Sequence, residues 1–157
     1  MLDSSLFDRA GEGWAEIRAH DRVTRYRRRG SGRPVLLLCD SPDSPLWELL
    51  LNALSECYRV IIPEFAQPGA EGSFRLADFL EGLGCRAVSV IADAALASAA
   101  LAVALGGCDQ IARVIIVADA PLAIDQGAAD VVPTLVIVRH HSSAQMLTLV
   151  RDFLQDG

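Results

Sequence analysis

A chain of 157 residues, 52% of them hydrophobic and 22% charged, is the size of one domain and too apolar to remain disordered. Its net charge of −6 argues against general binding to nucleic acid or to an anionic membrane. The longest apolar run, Ala94–Leu105, is too short to cross a bilayer.

The opening residues 1–12 carry little pattern and are expected to form a loose N-terminal arm, with one domain over 13–157. Trp14–Ala19 and Val23–Arg28 alternate in type around His20–Asp21, which predicts a β-hairpin with one wet face. Five arginines (Arg22, Arg25, Arg27, Arg28, Arg29) stud its second strand. They are a candidate phosphate reader, but charge on a solvated edge strand explains them more simply. After the break Gly30-Ser31-Gly32, Pro34–Cys39 is a continuous apolar run, as in a strand covered on both faces. Asp43-Ser44-Pro45 is a helix-start signal, and Leu46, Leu49, Leu50, Ala53 and Leu54 follow as one apolar helical stripe.

Tyr58–Ile62 is a second buried strand, ended by Pro63, and residues 66–72 read as loop. Leu76, Phe79, Leu80 and Leu83 mark the next helix, stopped by Gly84. Ala87–Ala92 is a third strand. Ala94–Leu105 is apolar on every side but for Ser98, which predicts a helix buried all round. Arg113–Ala118 and Pro133–Val138 are further strands, and Asp119–Val132 between them has room for a turn or two of helix. Met146, Leu149, Val150, Phe153 and Leu154 stripe a final helix. Apolar strands alternating with helices make an α/β three-layer sandwich, with a mostly parallel sheet and the antiparallel hairpin at one edge.

The runs YRRRGSGRPVLLLCDSPDSPLWELLLNAL, YRVIIPEF, LADFLEGLGCRAVSVIADAALASAALAVAL, IARVIIVADAP and VPTLVIV, taken in order, resemble the core of the α/β-hydrolase family in a shortened form. The resemblance implies a nucleophile on a tight strand-to-helix elbow, in the pattern G-x-S-x-G. Here the pattern falls on Ala92, Asp93, Ala94, Ala95 and Leu96. The nucleophile position is Ala94, whose methyl group cannot attack a carbonyl, and Leu96 stands where the second glycine belongs and should crowd the elbow. The resemblance also implies an oxyanion hole at a His-Gly pair. Cys39 and Asp40 occupy that place, and a carboxylate repels a developing oxyanion. His140 and His141 sit where a remnant of the catalytic histidine loop would lie. No acid follows Val138 at its usual place, and the cap and last strand are expected to be missing.

These departures predict a catalytically degenerate domain acting as a binding or oligomerisation module. The alternative is a small esterase-like hydrolase with an atypical nucleophile, Cys39 or Asp93, and His141 as base. A third reading is a small-ligand carrier whose crevice is lined by Cys39, Asp40, Asp93 and Asp119. No metal site is expected, since adjacent histidines point apart and no third ligand is near. No cofactor is expected either. Cys39, Cys57, Cys85 and Cys108 form no CxxC pair and no basic-then-apolar leader opens the chain, so reduced thiols in the cytoplasm are expected. Without a further strand, Thr134–Val138 is an apolar sheet edge free of proline and charge. The expected partner is a second copy of the chain or another protein pairing with it.

Overall fold

The computed structural model describes residues 12–19, 22–38, 45–63, 70–84, 86–105, 110–118, 132–138 and 143–155. Seven strands form one sheet: β1 (Glu12–Ala19), β2 (Arg22–Arg29), β3 (Arg33–Leu38), β4 (Tyr58–Pro63), β5 (Val88–Asp93), β6 (Ile111–Ala118) and β7 (Thr134–Val138). Their order is β1-β2-β4-β3-β5-β6-β7. β1 pairs antiparallel with β2, and β2 antiparallel with β4. From β4 to β7 every pairing is parallel. Among the described strands the hairpin therefore sits at one edge, as the sequence predicts, and β7 at the other.

Among the described residues four helices cover the sheet: α1 (Pro45–Leu54), α2 (Ala70–Leu83), α3 (Ala94–Leu105) and α4 (Ser143–Gln155). The even-odd alternation of each strand sends its side chains into two separate cores. Leu36, Val90, Ala92, Val114 and Ile116 meet Leu76, Phe79 and Leu80 of α2 and Leu96, Ala97 and Ala100 of α3. Val35, Leu37, Val60, Ile91, Ile115 and Ile137 meet Trp47, Leu50, Leu51 and Leu54 of α1 and Met146, Val150 and Leu154 of α4. The hairpin joins the first core through Tyr26, whose ring meets Phe79 edge-on at 5.5 Å. Glu16, Arg18, Val23 and Arg25 face out, so its wet face is where the alternation places it.

Several details differ from the sequence reading. β1 begins at Glu12, inside the expected arm. β6 begins at Ile111, two residues early, and the N–H of Val88 donates to the Gln110 carbonyl at 2.7 Å. α2 begins at Ala70, within the expected loop 66–72. Gly72 is a weak breaker, costing a helix only about 1 kcal/mol relative to alanine, and the helix runs through it. On α1 the buried stripe is Trp47, Leu50, Leu51 and Leu54, while Leu46, Leu49 and Ala53 are only half-buried. On α4, Leu149 is 38% exposed and leaves the stripe. α3 is not buried all round. Ala94, Ser98 and Ala102, one row at i, i+4, i+8, face out, because alanine carries little apolar surface to hide. The expected short helix within 119–132 lies outside the described residues, apart from buried Val132.

The C-terminal end of α4 is fastened to the sheet by Arg113. Its Nη1 donates to the carbonyls of Phe153 at 3.0 Å and Leu154 at 2.8 Å, and its guanidinium lies 5.8 Å from the Phe153 ring centre. A cation at a helix C-terminus also meets the favourable end of the dipole. Arg113→Met keeps the aliphatic stem and removes these bonds. It is expected to cost about 1.5–3 kcal/mol in urea unfolding, the range for hydrogen bonds from a charged group. A loss under about 0.5 kcal/mol, the usual effect of a surface substitution, would show that α4 is held by packing alone.

Candidate functional site

In a parallel α/β sheet, the loops at the carboxyl ends of the strands are where ligands and catalytic groups gather. β3, β4, β6 and β7 end there on segments outside the described residues. Cys39, Asp40, Asp119, His140 and His141 all belong to those segments, so their mutual geometry lies outside the described residues too. What is described is the junction of β5 with α3, where the elbow is expected.

That junction falls where the sequence places it: β5 ends at Asp93 and α3 opens at Ala94. Ala94, the residue that the family pattern aligns with the nucleophile, is exposed at the carboxyl end of the sheet. A nucleophile elbow is a sharp, strained turn. Among the described residues the one non-glycine with positive φ is Ala87, at the opposite end of β5, so the backbone at Ala94 carries no strain of that kind. Leu96 does not crowd the junction. It is 3% exposed and fills the core between α2 and α3. The space a glycine would keep open for a close-passing chain is here used for packing.

Asp93 is the last residue of β5 and stands in register with Val117 of β6. It is half-buried and already engaged in an interaction of its own. Asp93 thus belongs to the strand ladder and not to the turn that follows it. Among the described residues no three His, Cys, Asp or Glu side chains come together as metal ligands would. Cys57, the one described cysteine, is exposed in the turn between α1 and β4, far in sequence and in the fold from the carboxyl edge.

A second concave site, not anticipated from the sequence, lies at the opposite, amino-terminal ends of the strands. It is a cleft of about 410 Å³ whose polar side chains are Arg33, Tyr58, Arg86, Ser89 and Arg113. Three arginines each stand at or near a strand start, on β3, before β5 and on β6. Only the sheet order brings them together.

No protein-family model matches the sequence, and a search of curated proteins finds no match. Solved structures do resemble it. An epoxide hydrolase from Vigna radiata, VrEH1, superposes with a TM-score of 0.56 at 18% identity, over 72% of this chain and 42% of that one. A membrane phospholipase A described as a bacterial virulence factor gives 0.58 at 16% identity, over 78% and 46%. The carboxylesterase CesB from Bacillus subtilis gives 0.58 at 12% identity, over 73% and 47%. The chain therefore has the α/β-hydrolase fold, in a minimal form, and it spans less than half the length of these structures. No helix among the described residues is long and apolar enough to cross a membrane.

Proposed function

We propose that this α/β-hydrolase-fold chain is a catalytically degenerate module that works by association, with β7 as its docking edge. The observation that carries the reading is Ala94, an exposed methyl group on an unstrained backbone at the one place in this fold built to present a nucleophile. Losing catalysis leaves the fold free to serve as a surface. Among the described residues β7 ends the strand order, and its Thr-Leu-Val-Ile-Val sequence has none of the charges or prolines that protect a bare edge. A second copy, presenting the same strand about a two-fold axis, is the partner the reading commits to.

Sedimentation at about 50 µM, within the range where exposed strand edges associate, is expected to give a dimer. Hydrogen exchange at the β7 amides is expected to slow as concentration rises, since pairing protects them. A monomer with concentration-independent exchange at β7 would sink the self-association. On short acyl esters the chain is expected to show no turnover above background. Ala94→Ser is expected to leave that unchanged, because a hydroxyl without a strained elbow and aligned base is a weak nucleophile. Turnover that disappears in Cys39→Ala or Asp93→Asn would instead establish the hydrolase alternative, for which the likeness to hydrolase structures is the support.

A further inference from the structure

The geometry points to a binding site for a small organic phosphate in the cleft at the amino-terminal ends of β3, β4, β5 and β6, held by Arg33 and Arg86. The strand registers define it. Arg33 pairs with Tyr58, Val35 with Ser89, and Ser89 with Arg113. Strand residues two apart share a face, so Tyr58, Arg33, Val35, Ser89 and Arg113 lie side by side on the α1 and α4 face of the sheet. Leu154, at the end of α4, closes the cleft from above, and Pro34, Ala87 and Ala112 complete its wall.

The charge pattern is what singles this cleft out. The chain carries a net −6, yet among the described residues no carboxylate lines the cleft and three guanidinium groups do. Arg113 is committed to the α4 carbonyls, and in capping them it neutralises the negative end of the helix that an anion would otherwise face. Arg33 and Arg86 are different. Both are exposed, and among the described residues neither has a hydrogen-bond or ion-pair partner. Two unpaired forks beside the hydroxyls of Ser89 and Tyr58 supply the donors that a tetrahedral oxyanion accepts. Pro34, Ala87 and Ala112 offer apolar contact for the rest of the molecule. A volume of about 410 Å³ suits a small metabolite and not a macromolecule.

Ala87 gives an independent sign that this end of β5 is built to a constraint. It holds a φ of 57°, a conformation costing a residue with a Cβ about 1–2 kcal/mol, between Arg86 and the start of the strand. That turn sets where Arg86 leaves the chain. The site is separate from the carboxyl-end junction at Ala94, and it stands whether or not the chain associates through β7.

The test is calorimetric titration of the full chain with phenyl phosphate at about 150 mM salt, where the Debye length is about 8 Å, with benzoate as the carboxylate arm. Phenyl phosphate is expected to bind once per chain with Kd below about 1 mM, and benzoate at least tenfold more weakly, having fewer acceptor oxygens. Arg33→Ala and Arg86→Ala are each expected to weaken binding about tenfold or more, the effect of losing a charge-assisted hydrogen bond. Arg25→Ala removes the same charge from the hairpin and is expected to change binding by less than about twofold, since exposed charges beyond a Debye length are screened. Thermal melts without ligand check that each variant is folded. No saturable heat, benzoate binding as tightly as phenyl phosphate, unchanged affinity in Arg33→Ala/Arg86→Ala, or equal weakening in Arg25→Ala would each overturn the assignment.

Discussion

Trp47→Ala is expected to remove about 3–5 kcal/mol of stability, a large part of what a domain of this size possesses. Trp47 is 2% exposed and heads the buried face of α1. With Leu50, Leu51 and Leu54 it packs into the core formed by Val35, Leu37, Val60 and Ile62. Val35, Val60 and Ile62 are β-branched and fixed in the ladder, so the space an indole leaves is only partly refilled. Leu49→Ala, on the half-buried flank of the same helix, is expected to cost under about 1.5 kcal/mol. Urea unfolding of the two variants checks the order. Equal costs would mean that α1 meets the sheet through the other set of leucines.

That comparison marks the limit of what the sequence discloses. Leu46, Leu49, Leu50, Ala53 and Leu54 and the set Trp47, Leu50, Leu51 and Leu54 both satisfy the helical spacing. Periodicity predicts that a helix exists without choosing its phase, and the sheet beneath makes the choice. The strands are legible for a plain reason. β3, β5 and β6 are covered on both faces, so each is a nearly unbroken apolar run. The exposed row of α3 is hidden in the sequence for the opposite reason. Alanine is apolar by type yet nearly indifferent to exposure, so a run of it cannot report which side faces water.

The two sites divide along the same line. The elbow is a local feature, the residue where a strand hands over to a helix, and Ala94 is legible from the boundary between VSVIAD and AALASAAL. The arginine cleft is not local. Arg33 and Arg86 are far apart in the chain and become neighbours because β3 inserts between β4 and β5. No spacing in the sequence carries that information. Cys39, Asp40, Asp119 and His141 belong to connecting segments, which have no hydrophobic period from which a position can be inferred.

Gly30→Ala is expected to lower stability by about 2–4 kcal/mol, combining a left-handed backbone with a steric clash. Gly30 has a φ of 85°, and a Cβ built there would run into the carbonyl oxygens of Ser55 and Tyr58. Two residues on, a Cβ at Gly32 would stand 2.7 Å from the Cys57 carbonyl oxygen. The β2–β3 connection thus lies directly on the turn from α1 to β4. Backbone atoms fixed by the Ser55 N–H to Leu51 and Cys57 N–H to Leu54 hydrogen bonds cannot step aside cheaply. This contact also sets where β3 starts, and so where Arg33 stands beside Tyr58. Gly30→Ala should therefore weaken phenyl phosphate binding without touching either arginine that holds it, under conditions where the variant is still folded. Urea unfolding reads the first effect and calorimetry the second. A stability loss under about 0.5 kcal/mol, within the range of an ordinary surface change, would mean that the turn yields and that the close backbone packing does not position the cleft.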